Sequence, residues 1–451
     1  MEEKKINEKE SLAIIAEMID RTKNRLRIGD GNMLLLWGYT SLAVTVLTLS
    51  VLIITQHQAS NWLWFLIWLI GGSVSARICR RRDCESSVRT YIDNITSGLW
   101  SLVGSCAILI TAICLPNRTI DDSGLVGIMW MLFTYIAFYI PKYFFVIARL
   151  IALLIRQRNR WASLIIPAAI ALWIFAMMWW GALVTRTDTQ IRDVELKYAN
   201  LPDSFKGYKA VQISDIHLGS YGNDTTYISQ LVDEINSINP DIVFFTGDIV
   251  NRHSVELKPF VPVFKRLKAK DGVFSILGNH DYGDYYTWPS PEAKEENMQE
   301  LYRSQEEMGW TLLNNSHAII HNGNDSIVVI GVENWGDAPF PVYGDLKKAY
   351  PELNDNNFKI LLTHNPAHWR AEVVNKTNID LSLCGHTHAM QIELDLFGCR
   401  ISPAVWRYKD WGGLYMEGKQ AMYVNIGIGE VALPMRIGAT PEITVITFNK
   451  Y

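Results

Sequence analysis

The chain has 451 residues, which is too long for one ordinary globular domain, and its formal net charge is −4. Residues 1–186 carry 19 Lys and Arg against 12 Asp and Glu, whereas residues 187–451 carry 23 against 34. Because binding of a polyanion normally needs a basic surface, the acidic second part argues against nucleic acid as the main substrate.

A charged tail, residues 1–32, precedes the first apolar run of the chain. We therefore expect no cleavable signal peptide, because such a peptide places its apolar segment much closer to the N-terminus. Within this tail, apolar residues recur at roughly helical spacing over residues 11–27 and predict an amphipathic helix. That helix could lie on the inner leaflet, pack on a partner or simply be solvated.

Five apolar runs within residues 33–184 predict a membrane domain of about five transmembrane helices, since crossing a bilayer takes about 20 residues. The runs are residues 33–55, 61–76, 99–116, 124–140 and 161–184. The second run is short, and the fourth could continue over residues 143–155 beyond a kink at Pro141. Tryptophans near the ends of several runs, such as Trp62 and Trp179, are typical of a membrane interface. The alternative, buried helices of a large soluble core, would not need five such runs.

Lysine and arginine alternate across the segments between these runs. Seven lie in the N-terminal tail, none in residues 56–60, five in residues 77–89, one between the third and fourth runs, and five after the fourth. Because cytoplasmic loops carry the excess of Lys and Arg, the N-terminus is predicted to be cytoplasmic. Five spans then place the second part of the chain on the non-cytoplasmic side of the cell membrane, whereas four or six spans would place it in the cytoplasm.

Residues 185–207 are predicted to be a polar linker, and residues 208–451 a domain in which strands alternate with helices. Five short polar blocks in this domain each follow an apolar run that is typical of a buried strand. Open α/β sheets bind ligands at such strand ends. The blocks are Asp215-Ile216-His217, Gly247-Asp248, Gly278-Asn279-His280-Asp281, Thr363-His364 and Gly385-His386-Thr387-His388.

Together the blocks supply carboxylates, imidazoles and an amide, the ligand types for two small divalent metals bridged by a carboxylate. Each residue alone has a plainer interpretation, because an aspartate after a strand can cap a helix and an asparagine often occupies a turn. Helix caps would not explain the histidines. His364 and His368 could each supply one ligand. The sequence around His364 favours it, and His368 is expected on a helix surface.

The five blocks in this order resemble the calcineurin-like metallophosphoesterases over residues 208–451. The resemblance implies an α/β domain with two facing mixed β-sheets flanked by helices, and an enzyme that hydrolyses phosphoric esters by attack of a metal-bound hydroxide. Two divalent ions are expected, with Mn, Fe and Zn as first candidates. The resemblance implies one ion on Asp215, His217, Asp248 and His388, and a second on Asp248, Asn279, His364 and His386. It makes His280 the catalytic histidine and Asp281 the residue that fixes its ring orientation.

Residues 331–334 and the segment 384–388 resemble the membrane-associated branch of the family, including UDP-diacylglucosamine hydrolases. This implies membrane lipids as partners, and as substrate a phosphate ester or pyrophosphate of a lipid or envelope glycan. One departure is Ala389-Met390 in place of a frequent Gly-Gly pair, which should narrow the space over the metals. The alternatives are a phosphohydrolase for a soluble phosphomonoester or nucleotide, and a non-enzymatic membrane receptor that retains the fold. The oligomeric state is left open.

Several local features complete the prediction. Residues 284–291, with Tyr285, Tyr286 and Trp288, are expected to roof the site, together with residues 334–336 and 406–411. These aromatic loops could contact an acyl chain or pack on each other. Helices are predicted over residues 227–238 and 291–308, and strands over residues 326–332, 422–426 and 443–448. Cys384 and Cys399 could form a disulfide outside the cytoplasm, although Cys384 is expected to be a small core residue.

Overall fold

The computed structural model describes residues 30–55, 122–155, 161–336 and 341–451, with a few isolated positions between residues 16 and 74 and at Asn159. Two compact units are present: Met1–Pro116 with Thr134–Phe175, and Asn117–Phe133 with Ala176–Tyr451. The predicted span over residues 99–116 and most of the predicted amphipathic helix and of the span over residues 61–76 lie outside the described residues.

Three long apolar helices coincide with predicted spans: α1 (Asp30–Thr55), α2 (Asp122–Leu154) and α3 (Ala162–Leu183). Helix α2 continues through Pro141, so the fourth run and its continuation form one helix. By length and composition, the segments Gly124–Ala152 and Ala162–Thr187 could each cross a membrane. Large apolar side chains on α3, such as Leu172 and Trp173, are exposed, as is typical of helices that contact lipid.

The strands of the second unit are, in chain order, β1 (Gln190–Lys197), β2 (Lys209–Ile213), β3 (Ile242–Phe245), β4 (Val273–Ser275), β5 (Trp310–Leu312), β6 (Ser316–Asn322), β7 (Asp325–Gly331), β8 (Lys359–Leu362), β9 (Leu381–Cys384), β10 (Leu394–Leu396), β11 (Cys399–Ile401), β12 (Gly413–Glu417), β13 (Gln420–Val424) and β14 (Glu442–Asn449). Its helices are α4 (Thr226–Ile238), α5 (Val261–Phe264), α6 (Pro291–Glu307) and α7 (Leu346–Ala349).

Two six-stranded mixed sheets form the domain. The first has the order β1-β14-β2-β3-β4-β5, in which only the β14–β2 pair is antiparallel among these strands. The second has the order β12-β13-β9-β8-β7-β6, in which the two outer pairs are antiparallel and the inner strands are parallel. The predicted pair of mixed sheets is confirmed.

Apolar residues on both faces of the strands explain why the sheets are covered on both sides. In β3, Phe244 joins a core shared with Ile360 and Leu383 of the other sheet, while its neighbour Phe245 joins the core beneath α4 and α6. Successive side chains of a strand point to opposite faces, so a strand buried on both faces must be apolar throughout. The short apolar runs before the five polar blocks are such strands.

The predicted linker is partly wrong. Residues Gln190–Lys197 form β1, which pairs in parallel with β14 from Gln190↔Glu442 to Lys197↔Asn449. Only Leu196 of this strand is buried. An edge strand with mostly exposed residues carries little apolar pattern, and for this reason the strand was not predicted. The catalytic domain therefore begins before residue 208.

Candidate metal centre

The five polar blocks meet at the ends of β2, β3, β4, β8 and β9. Their side chains form three overlapping groups in which the potential ligand atoms lie within 4.8 Å of one another. The groups are Asp215 with His217 and His388, Asp248 with His217 and His280, and Asp248 with His364 and His386. Asp248 belongs to two of them, so its carboxylate stands between the two ends of the cluster.

Short distances connect these groups. Nε2 of His364 lies 3.1 Å from Oδ2 of Asp248, 3.2 Å from Oδ1 of Asn279 and 3.2 Å from Nδ1 of His386. At the other end, Nε2 of His388 lies 3.2 Å from Oδ1 of Asp215 and 3.1 Å from Nε2 of His217. The structure therefore brings together all seven predicted ligands.

The backbone turns sharply where these side chains enter the site. Asp215, His217, Asp248, His386 and His388 all have left-handed backbones, with φ between 50° and 74°. Such a conformation is uncommon for residues other than glycine, and it persists only where the surrounding structure enforces it. It lets Asp215 and His217 both reach the cluster while Ile216 between them is buried in the apolar core.

Two glycines make room for the carboxylates. A Cβ atom on Gly385 would lie 2.2 Å from Oδ2 of Asp215, and one on Gly278 would lie 2.2 Å from Oδ1 of Asp248. Any side chain at either position would displace a carboxylate, so the glycines of the G-N-H-D and G-H-x-H blocks are required by close packing.

The charges of the cluster favour a bound cation. Burial raises the pKa of Asp215, but the His388 imidazole outweighs it and the net pKa falls below its usual range. The pKa of Asp248 is likewise lowered, because His364 and His280 outweigh the effect of burial. Among the described residues, no lysine or arginine forms an ion pair with either buried carboxylate.

The imidazoles cannot supply all of the missing positive charge. Burial lowers the pKa of His364, yet Asp248 raises it to about 9. Burial and the neighbouring His364 then lower the pKa of His386 to about 3. Buried carboxylates and facing ring nitrogens without enough protons are a donor set that fits divalent transition metals. The residues therefore suit the metals that the sequence predicts.

His280 is held by a backbone carbonyl, and the predicted role of Asp281 is wrong. Nδ1 of His280 donates to the carbonyl oxygen of Asn251 at 2.7 Å, and its ring stacks on Tyr285. The Asp281 carboxylate instead accepts backbone N–H groups of Gly278, Asp248, Ile249 and Val250. Burial and the nearby Asp248 raise the pKa of Asp281 to about 7.

Asp281 therefore ties the loop after β3 to the loop after β4. Sequence adjacency to His280 misled the prediction, because successive side chains leave the backbone in different directions. The prediction did not find Asn251 either, since a residue that acts through its carbonyl oxygen leaves no mark on side-chain patterns.

Of the two candidate histidines, His364 lies in the cluster and His368 does not. His368 is fully buried, contrary to the prediction of a surface position. Its Nδ1 lies 2.9 Å from Oγ1 of Thr363 and its Nε2 lies 3.1 Å from Oε2 of Glu372. These two partners satisfy both ring nitrogens, which explains how the ring can be buried.

The roof of the site is made partly as predicted. The hydroxyl of Tyr285 accepts a hydrogen bond from Nδ2 of Asn279 at 3.0 Å, while Tyr286 and Trp288 pack on each other. The hydroxyl of Tyr408 lies 3.2 Å from Nε2 of His386, so the 406–411 stretch also reaches the cluster.

Two further predictions concern the Ala389-Met390 pair and the two cysteines of the domain. Ala389 and Met390 keep left-handed backbones, which glycine would adopt with less strain. The Ala389 side chain packs in a buried cluster with Ala404 and Trp411. Cys384 is a buried free cysteine and Cys399 an exposed one, so the disulfide considered between them is not formed.

A two-sheet α/β fold with a carboxylate shared between histidine groups at its strand ends defines a metallophosphoesterase. Residues 208–390 match the calcineurin-like phosphoesterase family. The chain is 33% identical over 261 residues to the uncharacterized metallophosphoesterase YkuE of Bacillus subtilis, covering 56% of this chain and 83% of that protein. The chain belongs to the calcineurin-like phosphoesterase family and is a metal-dependent phosphoric ester hydrolase.

Two vertebrate relatives carry both a membrane part and this domain. The transmembrane protein with metallophosphoesterase domain of Danio rerio is 30% identical over 296 residues, covering 64% of this chain and 62% of that protein. Its counterpart of Bos taurus is 28% identical over 271 residues, covering 58% of each chain. These relatives and the two apolar helices indicate membrane association. The similarity to UDP-diacylglucosamine hydrolases stays a prediction.

Proposed function

We propose that this protein is a membrane-anchored phosphoester hydrolase that uses two divalent metal ions to hydrolyse a phosphate ester carried by a lipid. The main support for this proposal is that Asp248 belongs to two of the three ligand groups. We assign Asp215, His217, Asp248 and His388 to one ion, and Asp248, Asn279, His364 and His386 to the other. A bridging carboxylate is the usual way to hold two ions close enough to act on one phosphoryl group.

When bound, such ions polarise the phosphoryl oxygens and lower the pKa of water. His280 supplies the proton chemistry of the chain itself. Because Nδ1 donates its proton to the Asn251 carbonyl, Nε2 is the nitrogen left for the substrate, and in the imidazolium form of the ring Nε2 would give its proton to the leaving oxygen and become neutral. Stacking on Tyr285 keeps the ring in this orientation.

A cavity that is partly lined by a membrane-length helix supports the choice of a lipid substrate. It has a volume of about 450 Å³ and is lined by residues that include Val126, Ser220, Tyr221, Val255 and Pro259. Val126 belongs to α2, within a segment that could cross a membrane. Ser220 accepts a hydrogen bond from Nδ2 of Asn251, the residue whose carbonyl orients His280. One hydrogen bond therefore connects the wall of the cavity to the residue that orients His280, and we infer that an acyl chain of the substrate occupies this cavity.

A comparison of substrates tests this proposal with the full-length protein in detergent and Mn²⁺. We expect kcat/KM for dioleoyl phosphatidic acid in mixed micelles to exceed that for p-nitrophenyl phosphate by about tenfold or more, because binding of the tail contributes to catalysis. Asp248→Asn serves as the inactive control for both substrates. Equal turnover of the two would favour the alternative of a soluble phosphomonoester. No hydrolysis of any ester by the Mn²⁺-loaded protein would overturn the proposal.

A further inference from the structure

Arg436 is fully buried, and its guanidinium is bound by backbone carbonyl groups. Nε donates to the oxygen of Gly429 at 3.0 Å, Nη1 to that of Ala439 at 2.8 Å, and Nη2 to that of Ile426 at 3.0 Å. A buried arginine is costly unless its donors are satisfied. Here the acceptors belong to the loop between β13 and β14, so the guanidinium fixes the shape of that loop.

This loop forms a wall of the metal centre. Nη2 of Arg436 lies 3.3 Å from Nδ1 of His388, the ring nitrogen opposite the one that points to Asp215. The N–H of Gly429 donates to the backbone oxygen of Asp215 at 2.7 Å. A Cβ atom on Gly427 would lie 2.8 Å from Cβ of Asp215, so loop and ligand are in close contact. Because the carbonyl groups fix the guanidinium in place, the guanidinium restricts movement of the His388 ring on this side.

The same loop is bound to the C-terminal end of α3. The N–H of Arg436 donates to the carbonyl oxygen of Gly181 at 3.1 Å, and the hydroxyl of Thr185 donates to the carbonyl oxygen of Arg436. Nη2 of Arg186 forms an ion pair with Oε1 of the buried Glu430 at 2.9 Å. Three contacts therefore join the end of a membrane-length helix to this loop, and two of them are made by the backbone of Arg436 itself.

We propose that Arg436 is a positioning residue that holds His388 for metal binding and connects the end of α3 to the metal centre. This inference rests on the proposed two-ion function. Arg436 acts through its shape and not through its charge, because a positive charge beside the centre would by itself weaken binding of a cation. The buried Glu430 carboxylate nearby offsets that charge.

Arg436→Lys separates shape from charge, since lysine keeps the charge but cannot reach three carbonyl groups at once. We would titrate Mn²⁺ into the metal-stripped full-length protein in detergent and follow binding by calorimetry. We expect Arg436→Lys to weaken one of two Mn²⁺ sites by about 10–100-fold, the usual effect of removing support from a metal ligand, and to leave the other within about threefold. Thr185→Val should weaken the same site to a smaller extent, because it removes a contact between α3 and the loop.

Arg370→Lys is the matched control, because Arg370 is bound by Asp410 and Glu417 and contacts none of the proposed ligands. It should bind Mn²⁺ as the wild type does. Wild-type Mn²⁺ affinity at both sites in Arg436→Lys would overturn the inference. Equal loss of affinity at both sites would also overturn it, as would failure of both Arg436→Lys and Thr185→Val to fold. If only Arg436→Lys fails to fold, unchanged Mn²⁺ affinity in Thr185→Val overturns the inference and selective weakening supports it. Fewer than two Mn²⁺ ions on the wild type would instead contradict the proposed function.

Discussion

Asp248 is the carboxylate on which the proposed centre depends most, because it belongs to two ligand groups whereas Asp215 belongs to one. We expect Asp248→Asn to lose most bound metal and nearly all activity, since one charge serves both ions. Metal content per chain, measured by atomic emission after purification in Mn²⁺, checks this. Asp233→Asn is a matched control, because Asp233 is exposed and pairs with Arg266, away from the cluster. Two ions retained in Asp248→Asn would refute the bridging role.

A variant of His280 can distinguish a role in proton transfer from a role in metal binding. Its ring lies in one ligand group with His217 and Asp248, yet its backbone partner Asn251 orients it as a proton donor. We expect His280→Ala to keep both ions and to lower kcat by about 10²–10⁴-fold, the range for general acid–base residues. Metal analysis and steady-state kinetics on one preparation check both parts. Loss of an ion would show instead that His280 is a ligand.

Gly385 tests the close packing around Asp215. In Gly385→Ala the new methyl group would meet Oγ of Ser214 and Oδ2 of Asp215, so the carboxylate must move. We expect weaker Mn²⁺ binding and a loss of about 1–3 kcal/mol in the free energy of unfolding, as for other overpacked sites. Gly127→Ala is the control, because a Cβ atom there meets no atom within 4 Å. Unchanged metal affinity in Gly385→Ala would contradict the predicted displacement.

The residues that could be predicted from sequence are those whose chemistry is in the side chain. Asp215, His217 and His388 are ligand types placed directly after strands, and the structure brings them together. Asn251 acts through a carbonyl oxygen, and Arg436 lies 48 residues beyond the ligand it contacts. Neither kind of contact leaves a local pattern, because it arises only when the chain has folded.

At the level of strands and helices, burial decided what could be predicted. The inner strands β2, β3, β8 and β9 are buried on both faces, so their apolar runs marked them clearly. Strand β1 was missed because it is an edge strand whose residues are mostly exposed. Helices α4 and α6 begin and end within one residue of their predicted bounds.

The position of β1 makes a prediction about domain boundaries. A fragment of residues 198–451 lacks β1 and exposes β14 as a new edge strand, which favours aggregation. We expect its Tm to be at least about 5 °C below that of a fragment of residues 188–451. Thermal unfolding followed by circular dichroism compares the two directly. Equal Tm values would mean that β1 contributes little to the domain.

For the whole molecule, the side of the membrane decides which substrates can reach the site. The Lys and Arg alternation predicts a non-cytoplasmic catalytic domain if five helices span the membrane. We expect a cysteine at Asn356, an exposed position, to react with a membrane-impermeant thiol reagent in intact cells, or in spheroplasts if an outer membrane intervenes. A cysteine at Arg81 should react only after lysis.

Native cysteines that react with the reagent would add to the labelling measured in this test. Cys399 is exposed and would itself react, so Cys399→Ser is needed, together with serine at Cys79 and Cys84 on the predicted inner loop. Cys384 is buried and can remain. Reaction at Arg81 and protection at Asn356 would reverse the orientation and point to a different number of spans.

The order of strands in the first sheet has a consequence for synthesis of the protein. Strand β14 lies between β1 and β2, although some 230 residues of chain separate it from β2. The sheet therefore cannot be completed until residues 442–449 have left the ribosome and, if the domain is non-cytoplasmic, crossed the membrane. Until then β1 and β2 lack their shared neighbour, and we expect the nascent domain to depend on chaperones on the side where it folds.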